Sequence, residues 1–310
     1  MINENVNLSE CNGIMVTLDS ARYDTAVSAQ MQNLSKIGEL HRGYTLSTYT
    51  PAAHTSIFLG HLPSTRIDGK FPYYHEPAKQ LWRITTGPAR DANKGCGILF
   101  HGNNVIEGYR RMNTYVLGIG GVSQFSSKSF LREAYPWTNF IYYGPDMNEE
   151  PLAPRNPETF PLNHVEEIAE TLRGKEQWFL FINCPEPHYP YDWGKGIDDK
   201  IMNIFPQLAK TLNLRSLTAP IEAFEALKPF ADDLWQMQEK GLRAIDLKLE
   251  FLFRNLKQIS ERPIYAVVCG DHGENFGDGN SEAGGSPLGL YGHMHPSREC
   301  TQVPMWMGML

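Results

Sequence analysis

The sequence predicts an α/β protein built on a doubly wound, mostly parallel central sheet with helices on both faces. Three observations carry this. Residues 13–18 and 264–268 are short, almost continuously apolar, β-branched runs, the pattern of strands covered on both faces. Each runs into an acidic turn, Asp19-Ser20 in one case and Asp271-His272-Gly273 in the other, at the strand end where open α/β sheets keep their chemistry. Strand-like and helix-like stretches also alternate along the chain, an order that folds through parallel crossovers. With 310 residues, the chain is long enough to bury one such core. Residues 1–310 are therefore read as a single domain with an insertion around 61–160.

Composition narrows the class. A net charge of −7 argues against the broad basic face that nucleic-acid binding needs, although a small anion can still be held by local cations. No apolar run approaches the roughly 20 residues needed to span a bilayer. The first ten residues are polar, carrying Glu4 and Glu10 and no basic stretch. Five cysteines (Cys11, Cys96, Cys184, Cys269, Cys300) show no paired spacing, which points to free thiols in a reducing compartment. The expectation is a cytoplasmic protein without a signal peptide or membrane span.

Taken in order, the run at 13–18 ends in Asp19-Ser20-Ala21-Arg22-Tyr23-Asp24, where Asp19 either caps the next helix or offers a carboxylate to a site. A helix is expected over 25–40. Hydroxyls then crowd before Pro51, in Thr45-Leu46-Ser47-Thr48-Tyr49-Thr50, and a second helix runs to Gly60. Thr50 falls at its N-terminus. There its hydroxyl either caps the helix or, near the positive end of the dipole, meets an incoming anion.

Residues 61–160 hold aromatics at 71–75 and 135–143, short strand-like pieces at 113–117 and 139–143, and five prolines between 145 and 161. They are read as substrate-facing. His41, His61, His75, His101 and His164 are taken as ordinary surface or core residues.

A helix at 162–173 and a buried strand at 177–183 lead into Cys184-Pro185-Glu186-Pro187-His188-Tyr189-Pro190-Tyr191. A histidine between prolines is stiffly placed, as a proton donor must be, or else is stacked in an aromatic loop. A long helix from about 229 to 259 aligns Leu242, Ile245, Leu249, Leu252 and Leu256 on one face, so it packs across the sheet. The strand at 264–268 then delivers Asp271 and His272. A carboxylate beside an imidazole suits a divalent cation, or marks an Asp cap beside a surface His.

In this order, Asp19-Ser20-x-Arg22-x-Asp24, the block from Thr50 to Gly60, Glu186-Pro187-His188-Tyr189-Pro190-Tyr191, Asp271-His272-Gly273-Glu274, Gly292-His293 and Gln302-Val303-Pro304 resemble the signature of the alkaline phosphatase superfamily, sulfatase-like branch. The resemblance spans nearly the whole chain. It implies a catalytic domain in which Asp19, Thr50, Asp271 and His272 hold a metal and Thr50 is also the nucleophile. The chain ends soon after Pro304, so no C-terminal subdomain is expected.

In formylglycine sulfatases the nucleophile is a modified Cys in a Cys-x-Pro-Ser-Arg block. Here Gly60 aligns Thr50 with that position and His54 with the Arg, while Ser20 stands where those enzymes carry a second metal-binding Asp. No cysteine lies near. A Thr nucleophile looks more like the phosphatase, phosphodiesterase and phosphoethanolamine-transferase relatives.

The resemblance thus implies a metal-dependent hydrolase or transferase acting on a small anionic phosphate mono- or diester, with Zn²⁺ or Mn²⁺ as cofactor. His188 and His293 would stabilise the transferring group or protonate the leaving oxygen, and His54 and Glu186 would contact substrate. One metal ion is expected; a second, held by Glu186, His188 and His293, is the alternative. Two other readings stand beside this: a formylglycine-independent sulfatase with the same constellation, and a metal-binding pseudoenzyme.

Overall fold

The computed structural model describes residues 7–59, 82–86, 96–100, 104–127, 129–145, 156–189, 191, 228–278, 291–293 and 297–310. In chain order the elements are β1 (Asn12–Leu18), α1 (Tyr23–Ala29), β2 (His41–Tyr44), α2 (Thr50–Leu59), β3 (Trp82–Thr86), β4 (Cys96–Phe100), α3 (Val105–Arg111), β5 (Tyr115–Gly120), α4 (Phe130–Glu133) and β6 (Asn139–Tyr142). They continue with α5 (Val165–Leu172), β7 (Trp178–Cys184), α6 (Ala231–Ile259), β8 (Ile264–Gly270), β9 (Asn275–Phe276), β10 (Tyr291–Gly292), α7 (Arg298–Thr301) and β11 (Gln302–Met309). Among the described residues no helix is long and apolar enough to cross a membrane.

Seven strands form the central sheet in the order β2-β11-β8-β1-β7-β5-β6. The five strands from β8 to β6 are parallel, and β11 runs antiparallel to both β8 and β2. The fold is therefore α/β with a mostly parallel sheet and helices, as expected. The antiparallel edge was not anticipated. β11 reads Gln-Val-Pro-Met-Trp-Met-Gly-Met and β2 His-Arg-Gly-Tyr, and neither carries the β-branched run that marks a strand.

Period-two alternation splits the core between the two faces of the sheet. Ile14, Val16 and Leu18 of β1, Leu180 and Ile182 of β7 and Ala266 and Val268 of β8 face α1, α5 and the long α6. The stripe Leu242, Ile245, Leu249, Leu252 and Leu256 of α6 is buried in that cluster, as its spacing predicts. On the opposite face, Phe179 and Phe181 of β7 and Val116 of β5 meet Phe58 of α2 and Ile106 and Tyr109 of α3. Gly13 allows this close packing, because a Cβ there would lie 2.7 Å from the Tyr109 hydroxyl and 2.8 Å from the Phe179 ring.

One expected helix is divided. Instead of spanning 25–40, α1 stops at Ala29, where Gln30 turns left-handed at φ 50°, and a short 3-10 turn follows at Leu34–Lys36. Ala26, Ala29, Met31 and Leu34 are nonetheless all buried in the core. The buried carboxylate of Asp246 accepts from the Asn33 and Leu34 amides and starts a new turn there. Long-range capping has overridden local periodicity.

Register prepares the site. Leu18 is paired with Cys184 on one side and with Gly270 on the other, so Asp19 and Asp271, the next residues on their strands, leave the sheet side by side. The ladder extends one step further, with the Asp19 amide donating to Cys184 O (2.9 Å) and the Asp271 amide to Leu18 O (3.3 Å).

Candidate active site

Thr50 is the first residue of α2, at the end where the unpaired amides of a helix attract negative charge. Its Oγ1 lies 3.2 Å from His272 Nε2 and 3.5 Å from Asp19 Oδ1. His272 Nε2 is in turn 3.7 Å from Asp19 Oδ1 and 3.6 Å from Asp271 Oδ2. Asp19, Thr50, Asp271 and His272 are each 3 % exposed or less, so these charges have almost no water to solvate them.

The protonation states follow from the partners. His272 Nδ1 donates to Gly273 O at 2.9 Å, which fixes the tautomer and leaves the Nε2 lone pair aimed at Thr50 and the carboxylates. Burial pulls the pKa of His272 down to about 4 against the opposing pull of Asp19, so the ring is neutral near pH 7. Asp271 Oδ1 accepts from the amides of Ser20 (3.1 Å) and His272 (2.7 Å). Its Oδ2 is buried without a hydrogen-bond partner among the described residues. Burial, and then the charge of Asp19, push the Asp271 carboxyl well above its usual range.

A divalent ion fits this set. Ligands about 2.0–2.2 Å from a tetrahedral centre are about 3.4 Å apart, close to the 3.2–3.7 Å measured here among hydroxyl, imidazole and carboxylates. Ligand atoms of Asp19, Asp271 and His272 all lie within 4.8 Å of one another. The unpartnered Asp271 oxygen is the sharpest sign, since an orphaned buried carboxylate oxygen is costly unless a cation meets it.

A second group of possible ligands, His188, Glu274 and His293, lies beside the first, with the His272 and His293 rings 4.7 Å apart. Glu274 is buried, its Oε2 accepting from the Tyr191 hydroxyl (3.1 Å) and its Oε1 facing His293 Nδ1 (3.3 Å). Burial alone would raise the Glu274 pKa, but the His293 hydrogen bond and the nearby His188 outweigh it and hold the carboxylate low. The same bond outweighs burial for His293, whose pKa is raised. His188 Nδ1 donates to Tyr189 O at 2.6 Å, so the ring's lone pair is on Nε2.

The structure thus brings Asp19, Thr50, Asp271 and His272 into one group and sets His188 and His293 next to it. Two expected substrate contacts are not placed this way. His54 is fully buried, ringed by Phe58, Phe125 and Phe181, with Nδ1 donating to Thr50 O (2.8 Å) and Nε2 accepting from the Thr17 hydroxyl (2.8 Å). It lies against the first turn of α2 through the Thr50 carbonyl. Glu186 is also buried, 3.5 Å from Lys248 Nζ of α6, and is not among the grouped ligands; Glu274 takes the carboxylate place proposed for it beside His188 and His293.

The missed signal for Glu274 was its own motif, an acid three residues beyond Asp271 in the same loop. Gly60, which aligned Thr50 in the sequence, lies outside the described residues, as do His61, His75 and His101.

Solved structures similar to this chain include a protein in the alkaline phosphatase superfamily from Vibrio parahaemolyticus, with 13 % identity, TM-score 0.50, and coverage of 96 % of this chain and 60 % of that one. The chain is similar to that protein in fold. The C-terminal periplasmic domain of the phosphoethanolamine transferase EptC from Campylobacter jejuni matches at 12 % identity and TM-score 0.53, covering 96 % of this chain and 79 % of that one. The C-terminal periplasmic domain of EptC from Escherichia coli, in complex with Zn, matches at 11 % identity and TM-score 0.56, covering 96 % and 73 %. No family model and no curated protein matches the sequence. The likeness is therefore one of fold.

Proposed function

We propose that the protein is a metal-dependent enzyme that transfers the phosphoryl centre of a small anionic phosphate ester to the hydroxyl of Thr50, and then to water or an acceptor alcohol. The observation that carries this is the convergence on Thr50 Oγ1 of Asp19 and His272, with the unpartnered oxygen of Asp271 beside them. Asp19, Thr50, Asp271 and His272 would hold Zn²⁺ or Mn²⁺. When bound, the ion supplies charge that lowers the pKa of the hydroxyl and neutralises the non-bridging oxygens.

The chain's own residues supply the rest. The first turn of α2 presents the Thr50 oxygen while His54 holds the Thr50 carbonyl from below. The Thr50 hydroxyl loses its proton to water, and its oxygen forms a bond to phosphorus as the bond to the leaving oxygen breaks. Water or the acceptor alcohol then displaces the Thr50 oxygen from phosphorus, its proton restoring the Thr50 hydroxyl. His293, oriented by Glu274, and His188, oriented by Tyr189 O, would give a proton to the leaving oxygen.

A phosphate ester is favoured over a sulfate ester because the nucleophile position holds Thr, while Cys11, Cys184, Cys269 and Cys300 are buried elsewhere. A second reading gives His188, Glu274 and His293 to a second ion, and the clustering of their ligand atoms within 4.8 Å favours it.

Parallel assay of aryl phosphate, phosphodiester and sulfate esters by wild type and Thr50→Ala tests the proposal. Phosphate-ester turnover in wild type that disappears in Thr50→Ala is expected. Equal turnover by the two proteins contradicts it.

A further inference from the structure

Gln238 is a fully buried amide on α6, between Leu234 and Leu242 of a stripe that otherwise packs against the sheet. All four of its hydrogen-bonding positions are used. Oε1 accepts from the Arg22 amide (3.2 Å) and the Thr25 hydroxyl (2.6 Å), and Nε2 donates to Ser20 O (2.8 Å) and Pro187 O (3.2 Å). One side chain thus joins the loop after β1, next to Asp19, to the loop after β7, next to His188.

The surroundings reinforce the join. Gly241, one turn along α6, brings the helix against the second loop, where an added Cβ would lie 3.0 Å from Glu186 O. Ser20 adopts φ 60°, a strained conformation for a residue with a side chain. It is held there by its amide on Asp271 and its carbonyl on Gln238. Arg22 extends the join to the loop after β8, because its guanidinium lies between the rings of Trp235 and Phe276 and pairs with Asp24 and Asp278.

We propose that Gln238 is the positioning residue that sets the spacing between the Asp19–Asp271–His272 group and the His188–Glu274–His293 group. This rests on the reading of both groups as ligand sets. The first group is fixed by strand register. His188 lies beyond the end of β7, and its loop is tied at Pro187 to the amide of Gln238. An apolar residue at 238 would strand four polar partners and free the two loops to move separately.

The test compares Gln238→Leu and Gln238→Glu with wild type and with Asp246→Asn. The last is a buried polar change on the same helix that loosens the Asn33–Leu34 turn instead. Zinc titration should show the second equivalent weakened roughly ten- to a hundredfold in Gln238→Leu, the usual scale for residues that orient ligands. Gln238→Glu should fall between Gln238→Leu and wild type, and it serves alone if the leucine variant does not fold.

In the metal-free protein, hydrogen exchange at the His188 amide, which bonds Pro185 O and not Gln238, should speed up by about tenfold in Gln238→Leu and stay unchanged in Asp246→Asn. Wild-type exchange and zinc affinity in Gln238→Leu would overturn the proposal, as would equal changes in Asp246→Asn. If wild type takes up no second zinc, the ligand reading of that group fails, and the exchange result alone decides whether Gln238 is the clamp.

Discussion

The two ligand groups sit side by side but are built differently. Asp19 and Asp271 extend adjacent strands paired residue by residue, so sheet hydrogen bonds place both carboxylates. His188 and His293 stand on loops, and a side-chain web (Tyr191 on Glu274, Glu274 on His293, Gln238 on Pro187) holds their surroundings. A site on strand ends inherits its geometry from the fold, whereas one on loops needs dedicated supports. Damage to the first group should therefore remove chemistry outright, and damage to the second should degrade it.

The largest effect is expected at Thr50. Thr50→Ala should lower turnover by roughly 10⁴-fold or more, the scale for losing a covalent nucleophile, whereas Thr50→Ser should keep part of it. Steady-state kinetics on an aryl phosphate decides this; a Thr50→Ala enzyme within tenfold of wild type would remove Thr50 from the mechanism.

Asp271→Asn sharpens the contrast, because it should abolish metal uptake while leaving the metal-free protein as stable as wild type or more so. The substitution relieves a buried carboxylate whose Oδ2 has no hydrogen-bond partner among the described residues. Zinc at about a hundred times its dissociation constant should stabilise wild type by about 2.7 kcal/mol and the variant by nothing, as read from thermal melts. A melt that rises equally in both proteins would break the assignment of Asp271 as a ligand.

His293→Ala should cost roughly a hundredfold in turnover, the lower scale of general acid–base groups. Metal analysis of this variant separates its two roles, since loss of one equivalent supports a second ion and full retention supports proton transfer. The smallest effect is expected at Ser20, which pairs a strained φ of 60° with a buried hydroxyl lacking a hydrogen-bond partner among the described residues. Ser20→Gly should change stability by less than about 1 kcal/mol, because glycine takes that φ at little steric cost. Chemical denaturation measures it, and a loss of several kcal/mol would show that the hydroxyl has a structural partner after all.

The same contrast explains what could be read from the sequence. β1 and β8 announce themselves as apolar runs ending in acids, so Asp19, Asp271 and His272 were legible together with their strands. Thr50's place at a helix start was legible through Pro51, whereas its grouping with Asp19 and His272 followed only from the resemblance. The packing of His54 and Glu186 was not legible, because the resemblance set them near the site without showing that aromatic rings enclose one and Lys248 meets the other. Glu274 was marked by its own loop motif, but its partner His293 lies 19 residues away, and Gln238 acts through Pro187, 51 residues away, with no local pattern to mark it. The division of the expected helix at 25–40 has the same cause, a carboxylate arriving from α6.

The most direct test of the central claim is a crystal structure of zinc-loaded protein with the ion located by anomalous scattering. The account predicts a cation bound by Asp19, Asp271 and His272 with Thr50 Oγ1 about 2.0–2.5 Å from it. A cation held by those three residues with the Thr50 oxygen turned away would contradict it, even with the fold unchanged.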